Sequence, residues 1–373
     1  MSASSGYRIA VVGATGQVGG VLLDELGVPR DADGNDGGLA AVRDGRDGWR
    51  PAGEGLPIRE IVPFASARSA GRTLRGLTVQ PLTDETIRGF DIAVFSAGGS
   101  TSRDWAPRFA KAGAVVVDNS SAWRMRDDVP LVVSEVNPEA LDDHRGIVAN
   151  PNCSTMQLMV ALRPLQQAAG IERLVVSTFQ AVSGTGRAAV DELREESAAV
   201  LAGDDVPAPR SYAHQIAFNV LPHAGNFVDD HTDEEHKLIN ETRKILGDDT
   251  IRISATCTRV PVINGHSETV NVQTREPLEP DAARELLAAA PGVTVRDEPE
   301  AAVYPLAVDA DGRSDVLVGR IRRDRGHERA LDLFVVGDNL RKGAATNTIQ
   351  LARVLHERGL VRPTDPDRVP TSG

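Results

Sequence analysis

Hydrophobic positions along this chain fall into two textures that change near Asn150. In the first, short apolar runs alternate with segments whose apolar residues recur at helical spacing. Tyr7–Val12 is such a run; a glycine turn follows it, and then Gln17–Leu26 carries Val18, Val21 and Leu22 three to four apart, which predicts strand, turn, helix. Strand signals recur at Ile58–Phe64, Ile92–Phe95 and Val115–Val117, with a helix-like segment, Arg103–Ala112, between the last two. That alternation implies a parallel sheet with helices on its faces. Between about Gly27 and Pro57 the chain is rich in Gly, Asp, Arg and Pro without periodicity, and this predicts an inserted, mobile surface loop.

Beyond Asn150 the segments lengthen. Helices are expected over Ser154–Ala169, Ala188–Leu201 and Asp233–Leu246, and strands over Leu174–Gln180, Ile251–Val260, His266–Thr274, Val316–Ile321 and Leu331–Val336. The pair Asn264-Gly265 between two of these strands is a hairpin signal. The expectation is an α+β domain on a mostly antiparallel sheet, spanning 151–342. A first domain of residues 1–150 is completed by a returning C-terminal helix, Ala344–Glu357, within about 343–373. There is no internal repeat.

Composition narrows the partners. The 373 residues carry 41 Lys+Arg against 53 Asp+Glu, a formal charge of -12, which repels phosphodiester backbones and anionic lipid, so neither nucleic acid nor membrane is expected as a partner. Apolar runs are strand-sized, and MSASSGYR lacks a signal-peptide stretch. With 2 Cys there is no disulfide framework, and the reading is a cytoplasmic protein with a thiol available for chemistry and no metal.

Candidate chemistry sits at the ends of the expected strands. Gly13-Ala-Thr15-Gly16-Gln17-Val18-Gly19 follows the first strand and opens a helix, where glycines let the backbone approach a pyrophosphate and the helix start favours its charge. The same pattern also serves ordinary tight strand-to-helix turns; its context here is what favours a nucleotide. After the next strand comes Ser66-Ala-Arg68-Ser69-Ala-Gly71, a hydroxyl beside a guanidinium where an NAD reader places an acid, so NADP is preferred over NAD. Arg68 read alone is a surface arginine. Ser96-Ala-Gly98-Gly-Ser100 brings another glycine loop to the same sheet edge.

Asn150-Pro-Asn152-Cys153-Ser154 precedes a long apolar helix, so Cys153 should sit at its N-terminus, where free N–H groups stabilise a thiolate. A buried structural cysteine is the competing reading, and Cys257, inside an alternating strand, is taken as one. If Asn264-Gly265 closes a two-residue turn, Ile263 pairs with His266, and Arg259 and His266 share a face. Glu234 and Lys237, three apart on a helix, read by themselves as a solvated pair.

Taken together, these residues resemble the aspartate-semialdehyde dehydrogenase family across nearly the whole chain. The stretch Ile253-Ser-Ala-Thr-Cys257-Thr-Arg259-Val-Pro-Val-Ile-Asn-Gly265-His266-Ser267 is similar to its signature, and Asn152-Cys153-Ser154, Gln180-Ala-Val-Ser183-Gly184, Ser66 to Gly71 and Ser96 to Ser100 follow its motif order. The resemblance implies a Rossmann-type dinucleotide-binding domain plus an α+β catalytic and dimerisation domain. It also implies NADPH-dependent reduction of L-aspartyl 4-phosphate to aspartate semialdehyde and inorganic phosphate, by a homodimer or homotetramer. Cys153 becomes the nucleophile, His266 its acid/base partner and Gln180 the orienter of the substrate. Arg259 is assigned to the α-carboxylate, Glu234 to the α-amino group, and Arg124, Lys237 and Asn152 to the phosphate. Ser183, Gly184 and Asn347 fall at the nicotinamide end. A sister enzyme, N-acetyl-glutamyl-phosphate reductase, shares the thioester chemistry, but its nucleophile motif runs Gly-Cys-Tyr, and its substrate has no free α-amino group for Glu234 to meet. A non-catalytic dinucleotide-sensing module would lack one or more polar site residues, and none is missing. The insertion at about 27–57 departs from the family and is expected to lie near the adenosine side.

Overall fold

The computed structural model describes residues 6–30, 51–362 and 366–371; the larger part of the expected mobile insertion, 31–50, lies outside the described residues. The chain divides into two compact units, one holding the described residues up to Asn152 and from Ala344 onward, the other Cys153–Gly343.

The first unit contains β1 (Tyr7–Val12), α1 (Gln17–Glu25), β2 (Ile58–Ala65), β3 (Gln80–Pro81), β4 (Ile92–Phe95), α2 (Gly99–Lys111), β5 (Val115–Asp118) and β6 (Ile147–Ala149). Its sheet runs β3-β2-β1-β4-β5-β6 and is parallel throughout. Continuous apolar runs suit this arrangement, because a parallel sheet is covered on both faces; Ile9–Val12 and Ile92–Phe95 are all fully buried. Strand order reverses between β1 and β4, so a crevice opens beyond their carboxyl ends, the place where such sheets bind ligands. On α2, Phe109 meets Phe64 and Phe95 edge to face at 5.8 and 5.4 Å between centroids. Burying one such ring contributes roughly 1.5–3 kcal/mol.

The second unit comprises α3 (Cys153–Ala169), β7 (Ile171–Gln180), α4 (Arg187–Ala202), α5 (Asp233–Leu246), β8 (Arg252–Arg259), β9 (His266–Thr274), α6 (Pro280–Ala289), β10 (Val293–Val295), β11 (Val316–Arg323) and β12 (Ala330–Gly337). Sheet order is β8-β7-β9-β12-β11-β10, antiparallel at its centre and parallel in its two outer pairs. Alternate residues of β7, β8 and β9 face inward against α3 and α5. A reciprocal cap starts α5: the Glu235 N–H donates to Thr232 Oγ1 at 3.2 Å, and Thr232 N–H to Glu235 Oε2 at 2.8 Å. The other oxygen of Glu235 accepts from the Cys257 N–H at 3.0 Å, which pins α5 to β8. Thr346–Glu357 forms α7, which packs against α1 in the first unit.

One expectation fails. Asn264-Gly265 closes no hairpin, because β8 and β9 lie on opposite sides of β7 and pair with it rather than with each other. The connection passes over the end of β7, where the N–H groups of Val182 and Ser183 donate to the carbonyls of Val262 and Ile263. Gly265 is still required, at φ 92° and with Ala307 O only 2.9 Å from any added Cβ. The glycine marks a left-handed residue in a bridging loop, and sequence alone does not separate that from a type I′ turn. Among the described residues no helix is long and apolar enough to cross a membrane.

Candidate active site

In the first unit the glycine turn and the Ser96 loop abut. Ser96 N–H donates to Val12 O at 2.8 Å, and a Cβ on Gly13 would lie 2.3 Å from Ser96 O. Likewise, a Cβ on Gly19 would reach Gly13 O at 2.2 Å, so α1 can start this close to the strand only with glycine there. Gly16 caps α1 without any side-chain bond, and no acid occupies the first turn, so no side-chain cap or acid of the described residues competes with an anion at this helix start. Both amide atoms of Gln17 are buried and without a partner among the described residues. Gly98, at φ 83°, opens α2 beside this turn. Arg68 and Ser66 stand exposed just past β2, and no carboxylate pairs with Arg68 among the described residues. This set fits a dinucleotide: a glycine cradle, an uncapped helix, an unsatisfied amide and an open guanidinium.

Three further candidates lie in the same unit. Arg124 is 8% exposed and donates to Asn119 O at 2.7 Å. Asn152 is also buried. Asn347 is fully enclosed: its Oδ1 accepts from Ser134 N–H at 3.0 Å, and its Nδ2 donates to Val132 O at 3.0 Å and Asn150 Oδ1 at 2.5 Å. Its amide therefore holds the chain around Asn150, and a nicotinamide contact through that side chain has no free donor or acceptor left to use.

In the second unit Cys153 is the first residue of α3, partly exposed, with no acidic residue in the first turn. Gly343 lies against it, since a Cβ at Gly343 would come within 2.8 Å of Cys153 Cβ. No sequence signal singled out that glycine. Cys257, by contrast, is fully buried, and desolvation pushes its thiol up, which keeps it inert.

Register brings the other groups together. Arg259 is the β7 partner of Gln180, and His266 precedes Ser267, the partner of Phe179, so the guanidinium and the imidazole flank Gln180 from two sides. Their convergence is as expected, but its cause is the shared central strand and not a hairpin. Gly184 fits between them: an added Cβ would lie 3.1 Å from an Arg259 amino nitrogen and 3.2 Å from His266 Nε2. Arg259 is 7% exposed, donates to Ala181 O at 2.7 Å, leaves its Nε unsatisfied, and pairs with no carboxylate among the described residues. His266 is fully buried, and its Nδ1 accepts from the Ala181 N–H at 3.0 Å. A neutral ring so held carries its proton on Nε2, which has no partner among the described residues. Burial, with the Arg259 charge, holds the imidazole well below its ordinary value and therefore neutral.

Gln180 Nε2 donates to Glu234 Oε1 at 3.3 Å, and Lys237 Nζ to Glu234 Oε2 at 3.1 Å. Glu234 and Lys237 are thus joined to the site through Gln180 rather than forming a detached surface pair. Ser183 is turned inward, donating to Asn264 Oδ1 at 2.9 Å and accepting from Asn339 Nδ2 at 2.8 Å. Asn339 Oδ1 also takes the Gly265 N–H at 2.9 Å, so Asn264 and Asn339, neither read from sequence as site residues, fix the loop before His266. Among the described residues no group of three or more His, Cys, Asp or Glu is placed to hold a metal ion.

A parallel dinucleotide-type sheet in one unit, and in the other a cysteine at a helix start and a buried cation beside a neutral imidazole, are the parts of a dinucleotide-dependent dehydrogenase. Comparison agrees: residues 53–144 match the family model described as semialdehyde dehydrogenase, NAD binding domain, and residues 162–342 the one described as semialdehyde dehydrogenase, dimerisation domain. An aspartate-semialdehyde dehydrogenase of Aquifex aeolicus (strain VF5) is 49% identical over 364 residues, covering 95% of this chain and 100% of that one. One of Mycolicibacterium smegmatis is 48% identical, over 86% of this chain and 98% of its own. The crystal structure of aspartate semialdehyde dehydrogenase II from Vibrio cholerae, complexed with ASA, matches with TM-score 0.84 at 41% identity, covering 95% of this chain and 99% of that one. This chain belongs to the aspartate-semialdehyde dehydrogenase family.

Proposed function

We propose that this chain catalyses the NADPH-dependent reductive dephosphorylation of L-aspartyl 4-phosphate to L-aspartate 4-semialdehyde, and its reverse, in lysine, threonine and methionine biosynthesis. The observation that carries this reading is the pairing of Arg259 with His266: among the described residues, a buried guanidinium without a carboxylate beside a buried Nε2–H without an acceptor. Such groups cost free energy unless something completes them, and a substrate with a carboxylate at one end and an acyl carbon at the other does so.

In the forward direction the Cys153 thiolate attacks the acyl carbon; a C–S bond forms, the C–O bond to phosphorus breaks, and phosphate leaves with the electron pair. The glycine turn and Arg68 would hold NADPH, which would supply the hydride that a thioester accepts far better than a carboxylate does; the C–S bond then breaks, the electron pair returns to the Cys153 sulfur and the aldehyde leaves. The Nε2–H of His266 donates to the acyl oxygen wherever negative charge gathers there, and the Cys153 N–H at the start of α3 is a second donor. The bond from Ala181 keeps Nδ1 occupied, so of the acid and base roles the acid fits His266 better. Arg259 grips the α-carboxylate, Glu234 the ammonium, and Lys237, Arg124 and Asn152 the phosphate, while Gln180 aligns the acyl group. The active protein is a homodimer or a tetramer of dimers, working in the cytoplasm; the dimerisation-domain description of the matched family supports the assembly.

Oxidation of aspartate semialdehyde by NADP is expected to depend on phosphate, with no turnover of N-acetyl-glutamate semialdehyde. Activity on the acetylated aldehyde alone would overturn the assignment. Arg68→Ala is expected to raise KM for NADP roughly tenfold and to leave NAD kinetics nearly unchanged, because the lost charge meets only the 2′-phosphate. Equal changes for both coenzymes would show that Arg68 does not read that group.

A further inference from the structure

The inward face of the second sheet holds a polar pair that the proposed chemistry leaves unused. Glu268 stands two residues after His266 on β9, on the same face and fully buried, and among the described residues its carboxyl oxygens make no well-formed hydrogen bond, the approach of the Gln157 side chain being their one polar contact. Facing it is Gln157, also fully buried, one helical turn beyond Cys153 and so on the same side of α3 as the cysteine. Gln157 Nε2 donates to the main-chain carbonyl of His266 at 3.2 Å, whereas its Oε1 is buried and unsatisfied. The amide fits there because Gly337, the β12 partner of His266, has no side chain; a Cβ would lie 2.7 Å from Gln157 Oε1.

A carboxylate could answer only the second N–H of this amide and would leave Oε1 unpaired. A carboxylic acid meets a primary amide with both an acceptor and a donor. Nothing cationic lies within ion-pair distance of Glu268 among the described residues, and an isolated buried carboxylate takes up a proton rather than stay charged. Its pKa is accordingly raised well above the ordinary glutamate value by burial.

We propose that Glu268 is a neutral carboxylic acid bonded to the Gln157 amide, and that the two are positioning residues tying the first turns of the cysteine helix to the strand that begins at His266. They touch no reacting atom and act through Cys153 and His266. This inference rests on the reading of those two as the reacting groups.

The test has a spectroscopic arm and a kinetic arm. In infrared difference spectra of the parent against Glu268→Gln at neutral pH, the parent shows the carbonyl stretch of a protonated carboxyl that the variant lacks. Glu268→Gln keeps kcat within about threefold, while Glu268→Leu and, should that variant not fold, Gln157→Met lower kcat roughly tenfold with KM for the aldehyde little changed, as expected of a small misplacement. A missing carboxyl band overturns the protonation claim, and so does a loss in Glu268→Gln as large as that in Glu268→Leu. Parent-like kcat in both folded Glu268→Leu and Gln157→Met overturns the positioning claim. Because the infrared band needs no turnover, failure of the enzymatic assignment is seen separately, as a parent protein inactive with the aldehyde.

Discussion

Cys153→Ala is expected to lower kcat by at least about 10⁴-fold, because it removes the atom that carries the acyl group. The side chain begins α3 and is partly exposed, so its loss leaves no large cavity, and the thermal midpoint should move little. Cys257→Ala is the matched control. That sulfur is buried within β8, where desolvation favours the neutral thiol, and its removal should cost some stability but little turnover. Comparable losses of kcat in the two variants would mean that position at the helix start confers no special reactivity.

The second large effect is expected at His266. His266→Ala should reduce kcat by about 10²–10³-fold, the range for loss of a positioned proton donor. His266→Gln, whose amide can place an N–H near the former Nε2, should recover part of it. The same residue gives a pH signature. Its folded pKa lies below its unfolded value, so as pH falls below about 6.5 the unfolded chain binds a proton that the folded one does not. Stability contributed by the neutral, buried ring is therefore present above that pH and is lost as pH falls toward the folded pKa. His266→Gln should flatten this slope in thermal melts between neutral and mildly acidic pH. An unchanged slope would show that the ring is not held neutral.

How much of this was legible beforehand depends on the range of the interaction concerned. Tyr7–Val12 and Asp233–Leu246 could be placed because local periodicity and capping set them, and the capping box of Thr232 and Glu235 starts the latter helix where the pattern begins. Periodicity over Ala188–Leu201 likewise marks nearly the whole of the helix Arg187–Ala202. The hairpin at Asn264-Gly265 failed because a turn signal reports backbone conformation at one residue and carries no information about which strand is the neighbour; β7, distant in sequence, takes both pairing edges. Cys153 could be found from its punctuation, Asn-Pro-Asn before an apolar helix. Gly343, Asn264, Asn339 and the Gln157–Glu268 pair could not, since each matters only through a contact made across the folded unit. Glu268 is the clearest case: a glutamate in an alternating strand gives no sign in sequence that both of its oxygens end up enclosed.

The most direct measurement is the covalent state of Cys153 during turnover. Protein mixed with aspartate semialdehyde and NADP in the absence of phosphate, then quenched in acid, should show a burst of about one NADPH per subunit, as acyl-enzyme accumulation predicts. Peptide mass analysis should find the added aspartyl group on the fragment bearing Cys153 and none on that bearing Cys257. Full phosphate-dependent turnover with no burst and an unmodified Cys153 would contradict the account.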